Sequence, residues 1–385
     1  MKETAKSMMA LLSAAVCGAG LADDVKTNMT AERLTKLYAL SSHHDMAHLV
    51  GFSLDAAGLL DDGAVDEGFR RGQMLAIYRE QGQSAALTQA TELLENEGID
   101  YLPLKGAVIR ARYPEPWMRT GCDIDILVRR EDLERAADSL CERLGYRREE
   151  RNAHDLSLMS EEGVNLELHF DMIEADCAAR SAEVLRDIWQ YARLSRGNHG
   201  YGLSDDMFYF YHIAHMAKHF EHGGCGVKPF LDLWLLCHGT EFDGEARREL
   251  LKKGGLLKFA EACEEVSSAW FSGGEWTETV DEISRYLLRA GTYGSTENKA
   301  AVGSAKRGKG KSLMSRIWMP YEVLKGRYPS LEGRRFLIFF YQVRRWAHIL
   351  LRGRAKQSLE ELKANTAVTE ERSREAAALL SRLEL

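Results

Sequence analysis

The chain has 385 residues, 45% of them hydrophobic and 28% charged, with a formal net charge of −7 and a pI of about 6.0. That length can bury a large core and suggests two or three domains. The mild acidity argues against a whole-surface nucleic-acid binder, though not against a local basic groove. The seven cysteines are scattered and form no CxxC pair, as expected of reduced thiols in a cytoplasm. No run of about 18 apolar residues offers a membrane span.

The stretch from Met8 to Val16, with Lys2 before it and small residues up to Ala22, has two readings. One is a weak secretory signal. The other, preferred because the run is rich in Ala and Ser and follows Glu3, is an amphipathic helix with Met8, Leu11, Leu12, Ala15 and Val16 on one face. Residues 1–97 read as an N-terminal helical region, with helical spacing over Ala31–Leu40 and Met74–Glu95 and Gly98 as a closing cap.

Residues 98–195 change pattern. Ile99–Leu104 reads as a strand, Lys105-Gly106 as a turn and Ala107–Arg112 as a short helix. Ile124–Val128 is a second strand. Glu131–Leu144 is a helix, with Asp132 suited to its first turn and Gly145 to its end. Leu156–Met159 and Val164–Phe170 read as strands joined by Glu161-Glu162-Gly163. Residues 99–173 are thus the one clear α/β block. Helices return from Asp206, giving a helical region over 196–300 that completes a cleft, then a basic loop and C-terminal helices over 301–385. The expected class is α+β: a small mixed-sheet core flanked by helical N- and C-terminal regions.

Within the last part, Gly291–Ser312 reads as a polar linker or loop. Its AKRGKGKS run, Ala305–Ser312, lacks the first glycine of a phosphate-binding loop and follows no apolar strand, so it reads as a solvated basic loop. Phe336, Phe339, Phe340 and Val343 are expected to form the buried stripe of an amphipathic helix. Arg344, Arg345, Arg352 and Arg354 would then be solvated. The rival reading makes these arginines and Trp346 a contact for an anionic acceptor. Ser358–Leu385 reads as one or two charged terminal helices.

The chemistry concentrates in GCDIDILV, Gly121–Val128. On a strand, Asp123 and Asp125 project from the same face while Ile124 and Ile126 take the other. Two adjacent carboxylates repel unless a cation lies between them, and Mg²⁺ suits such hard oxygen ligands. Glu167 and His169 form a second i, i+2 pair. If their strand lies beside Ile124–Val128, Glu167 becomes a third carboxylate, a set suited to metal-assisted phosphoryl or nucleotidyl transfer. Lys105-Gly106, between a strand and a helix, can approach phosphate, and Arg119 could hold a phosphate bidentately. His212, His215, His219 and His222 share one helical face, with Cys225 close behind. That face can be a zinc site, a polar face packed on a core, or a cleft wall. Asp232, on the next helix, could orient one of these histidines.

LPLKG, RYPEPWMRTGCDIDILV, LELHF, HMAKH with the following KPFLDLWLL, and MPYEVLKGRYPSL together resemble the bacterial uncharacterised nucleotidyltransferase family of the DNA polymerase β-like superfamily. The resemblance extends from the first helices to about Leu351. It implies a nucleotidyltransferase core in which Asp123, Asp125 and Glu167 are catalytic and hold Mg²⁺, with Mn²⁺ as the alternative. Lys105-Gly106 stands where the superfamily carries Gly-Ser. The resemblance favours the cleft-wall reading of the histidine helix, with Lys105, Gly106, Arg119, His215, Lys218 and His219 contacting nucleotide. The implied activity moves an NMP group from an NTP, expected to be ATP, to a hydroxyl or phosphate acceptor that no motif identifies. Neither a membrane nor nucleic acid is an expected partner. A non-catalytic nucleotide-binding protein that retains the fold, and a transferase that AMPylates a protein, are the alternatives.

Overall fold

A computed structural model describes residues 2–173, 179–239, 242–292, 294–307, 318–351 and 369–385. Five helices come first: α1 (Lys2–Val16), α2 (Asp23–Thr27), α3 (Ala31–His43), α4 (Ala47–Ala56) and α5 (Ala64–Asn96). The apolar spacing of α1 buries Met8, Leu11, Leu12, Ala15 and Val16 in the main core, so that stretch folds as an amphipathic helix. The Thr30 hydroxyl caps α3 by accepting from the Arg33 amide. Gly98 follows α5 at φ 66°, as a closing cap requires.

The mixed core then runs β1 (Tyr101–Pro103), α6 (Gly106–Ile109), β2 (Asp123–Val128), α7 (Leu133–Leu144), β3 (Arg147–Arg151), β4 (Asp155–Met159), β5 (Asn165–His169), α8 (Ala179–Arg186), β6 (Ala192–Arg196) and β7 (Gly200–Leu203). These strands make one seven-stranded sheet in the order β3-β4-β5-β2-β1-β7-β6. The central pair β2 and β5 is parallel, and β1 runs antiparallel to β2. Side-chain alternation divides β2 cleanly. Ile124, Ile126 and Val128 pack with Leu166 and Leu168 of β5 against Ala86, Ala90 and Leu94 of α5 and Leu133, Ala136 and Leu140 of α7. Asp123 and Asp125 take the opposite face.

The helical region that faces them comprises α9 (Asp205–Glu221), α10 (Lys228–His238), α11 (Gly244–Gly254), α12 (Leu257–Phe271), α13 (Glu278–Leu288) and α14 (Thr296–Arg307), followed by α15 (Tyr321–Arg327), α16 (Ile338–Leu351) and α17 (Glu370–Arg382). The sheet flanked by helices at both ends is the expected α+β class. Among the described residues no helix is long and apolar enough to cross a membrane.

Three expectations need correction. The sheet extends beyond the 99–173 block, because β6 and β7 join it, and within that block it gains β3, which was not expected as a strand. The stretch read as a linker contains α14, whose Ala300, Ala301 and Val302 are buried. The rest of the basic run, residues 308–312, lies outside the described residues. The stripe of α16 faces the other way: Phe336, Phe339, Phe340 and Val343 are exposed, while Tyr341, Gln342 and Arg345 are buried. Arg352 and Arg354 lie outside the described residues, as do residues 358–368 of the terminal stretch; the rest of it is α17.

Helices α4 and α5 touch at Gly51, where an added Cβ would lie 2.8 Å from Phe69 Cβ. Phe69 is fully buried, so neither helix can give without opening the core. Gly51→Ala is expected to destabilise the chain by roughly 1–3 kcal/mol, read as a lower urea midpoint. An unchanged midpoint would show that the two helices separate freely.

Candidate active site

The parallel register sets Asp125 of β2 directly beside Glu167 of β5. His169, two residues on, shares that face. Its Nε2 lies 2.8 Å from Asp125 Oδ1 and 3.6 Å from Glu167 Oε2. Asp125, Glu167 and His169 each offer a ligand atom within 4.8 Å of the others, and they are the set of three metal-ligating groups found among the described residues. Asp123 lies outside this set but enters the same cavity, of about 320 Å³. Burial, then the charges of Glu167 and Asp125, push its carboxyl up to about 6.

Lys105 completes the group. Its Nζ donates to Asp125 Oδ1 at 2.7 Å. Its backbone, at φ 44° and ψ −123°, adopts a conformation natural to glycine. The resemblance implied that Lys105 stands where the superfamily carries glycine, and this is a conformation that glycine adopts without strain. Burial alone would raise the Asp125 carboxyl, but Lys105 and His169 outweigh it and hold the group well below the usual carboxylate range. Burial would likewise lower the Lys105 ammonium, and Asp125, Tyr211 and Glu167 reverse the direction.

Helix α9 forms the facing wall with Tyr211, His212, His215, Lys218 and His219. The Nε2 atoms of His215 and His219 lie 3.1 Å apart. Burial first, then the charges of Lys218 and Lys105, push His219 down to about 4. Burial and Lys105 push Lys218 down to about 8. Burial is the larger cause in both groups, and the lysine charges add to it. His154 stacks on His169 with ring centroids 5.9 Å apart, a neighbour that sequence reasoning did not single out.

Two expected roles change. Arg119 reaches the cavity, but its guanidinium is committed to Asp232: Nε lies 2.9 and 3.0 Å from the two carboxylate oxygens, and Nη2 2.9 Å from Oδ2. The bidentate face expected to hold phosphate is therefore taken. Asp232 in turn pairs with Arg119 and accepts from the Tyr113 hydroxyl at 2.7 Å, rather than orienting a histidine. His212 meets the Pro229 carbonyl instead. Lys228, Thr120 and Asp45 also gather here without having been singled out. Lys228 occurs in the KPFLDLWLL motif, but nothing local marks its direction.

Residues 30–272, well over half of the chain, match a family described as uncharacterised nucleotidyltransferase. The chain belongs to this family. No curated protein and no solved structure matches it. Every residue of the cavity named so far falls within the matched segment.

The N-terminal helices reach the segment leading into β2 through His48 of α4, whose buried Nε2–H donates to the Met118 carbonyl at 3.0 Å. Burial pushes this imidazole down to about 4 from 6.5. Between those values the unfolded chain binds the proton and the folded chain does not. The stability is therefore complete above pH 6.5 and is lost as pH falls toward 4. The loss should approach about 3 kcal/mol. Unfolding midpoints measured from pH 7.5 to 4.5 should fall less steeply in His48→Gln than in the wild type. Equal slopes would assign the acid sensitivity to other groups.

Proposed function

We propose that the chain is a divalent-metal-dependent nucleotidyltransferase of the DNA polymerase β-like type, using Mg²⁺ with Mn²⁺ as the alternative. It transfers an NMP group from an NTP, ATP being the expected donor, to a hydroxyl or phosphate acceptor in the cytoplasm. The family supports transferase chemistry. The observation that carries the finer reading is the β2–β5 register, which lines up Asp123, Asp125 and Glu167 on one face opposite the cationic Lys105 and Lys218.

The donor set fits a hard divalent cation. Carboxylate crowding already pushes Asp123 upward, and a bound cation would relieve it. Asp123, Asp125 and Glu167 would hold the ion, with His169 orienting Asp125. When bound, it neutralises phosphate charge and draws together donor and acceptor oxygens. Lys105, Lys218, His215 and His219 would hold phosphate oxygens, and Gly106 would permit close backbone approach. Glu167 would accept the proton of an attacking hydroxyl. The acceptor oxygen then bonds to the α-phosphorus, the bond to the bridging oxygen breaks, and pyrophosphate leaves.

Calorimetry with ATP and Mg²⁺ tests the reading. The wild type should bind, and Asp123→Asn/Asp125→Asn should weaken binding on the order of 100-fold. Equal affinities would remove the carboxylates from the site. Once an acceptor is found by screening for pyrophosphate release, Glu167→Gln should slow turnover by roughly 10²–10⁴-fold. Such a loss would reject a non-catalytic binder, and labelled protein products would identify AMPylation.

A further inference from the structure

We infer that Asp45, Lys228 and Thr120, together with the Arg119–Asp232 pair, are positioning residues that fix the turn from which Asp123 and Asp125 enter the cavity. This inference rests on the reading of those carboxylates as ligands of a divalent cation.

The turn is Arg119-Thr120-Gly121, immediately before Cys122 and β2. The carbonyl and the hydroxyl of Thr120 are both engaged by distant elements. Its carbonyl accepts from Lys228 Nζ at 3.1 Å and from Arg119 Nη1 at 2.6 Å. Its hydroxyl donates to Asp45 Oδ2 at 2.8 Å, the same oxygen that Lys228 approaches at 2.6 Å. The next carbonyl, of Gly121, accepts from Gln83 of α5 at 3.0 Å.

The geometry of α10 makes this a two-point hold. Lys228 and Asp232 are four residues apart, one turn of the helix, and therefore share a face. Lys228 donates to the carbonyl of residue 120 while Asp232 grips the side chain of residue 119. Local preference does not account for Lys228, because a cation at the first residue of a helix meets the positive end of the dipole. Its tertiary partner, Asp45, offsets part of the cost of burying it there. That carboxylate projects from the corner between α3 and α4 at φ 54°, a left-handed conformation that aspartate tolerates better than most residues. The N-terminal helices and α10 thus meet on the backbone three residues before Asp123. A shift of either would be passed to the carboxylates.

Mn²⁺ titration of the full chain, followed by electron paramagnetic resonance, tests the inference. Wild type should bind and Asp125→Asn should lose binding. Thr120→Val removes one hydroxyl of a half-buried side chain and keeps its shape. It should weaken Mn²⁺ affinity about 10-fold, as loss of a group behind the ligands does, with a thermal midpoint within about 2 °C of wild type. Thr120→Ser restores the hydroxyl and should restore the affinity. Lys228→Met should weaken binding as Thr120→Val does. If it instead unfolds the chain, the Val and Ser pair decides. Wild-type affinity in Thr120→Val, or equal losses in Thr120→Val and Thr120→Ser, overturns the positioning role and leaves the metal reading standing. Failure of the wild type to bind, or binding indifferent to Asp125→Asn, overturns both.

Discussion

The burial of one carboxylate, that of Asp125, constrains everything around it. It projects from β2, a central strand of Ile, Leu and Val after its first residue, Asp123, and it is only 4% exposed. An ionised carboxylate in such a place costs several kcal/mol unless charge and hydrogen bonds compensate it. Lys105 and His169 both do so within 3 Å. The demand propagates outward. To reach Asp125, the chain bends at Lys105 into a glycine-like conformation whose strain is of order 1–3 kcal/mol. A hydrogen-bonded charge pair in a low-dielectric pocket offsets strain of that size. The same bend starts α6 and presents the Gly106 backbone to the cavity.

The sheet keeps two chemistries apart by parity alone. One face of β2 and β5 carries branched apolar residues against α5 and α7, and the other carries Asp123, Asp125, Glu167 and His169. Across the cavity, Lys218 of α9 and Lys105 repel each other strongly enough to contribute to lowering Lys218. The carboxylates crowd each other strongly enough to raise Asp123. Both poles are frustrated in the same cavity. A cation bound with a polyanion relieves both at once, which neither partner could do alone.

The parts of this site governed by local rules were legible in the sequence. Strand alternation predicted that Asp123 and Asp125 share a face, and it predicted the same of Glu167 and His169. Helical spacing put His212, His215, His219 and His222 on one face, and the first three line the cavity. Signals without apolar alternation were not legible. The β3 sequence, RREER, is an edge strand held by Arg148 and Arg151 reaching Glu134, and charged edges carry no hydrophobic period. The hairpin of β6 and β7 is largely solvated and equally featureless. For α16, periodicity grouped Phe336, Phe339, Phe340 and Val343 correctly onto one side. It could not say which side the core would take, because Tyr341, Gln342 and Arg345 form an opposite face that packs just as regularly.

Arg119 shows how a tertiary partner redirects a residue whose type suggests a ligand. A guanidinium has five N–H groups, and a two-point clamp on phosphate needs two that point the same way. In this structure the Nε and Nη2 edge is spent on Asp232, and one Nη1 hydrogen on the Thr120 carbonyl. To turn that edge toward phosphate, Arg119 would have to leave Asp232, which is 1% exposed, with only the Tyr113 hydroxyl among the hydrogen bonds made to its side chain. Stripping a buried carboxylate of its cation costs about 3–5 kcal/mol. A surface-accessible phosphate contact would not return that much, because the oxygen it captures is already served by water. On the proposed function, phosphate recognition then rests on Lys105, Lys218, His215 and His219, which line the same cavity. Lys218, His215 and His219 are half-buried on the facing helix α9. The Arg119–Asp232 pair is therefore architectural: it holds the wall of the cavity rather than reaching across it.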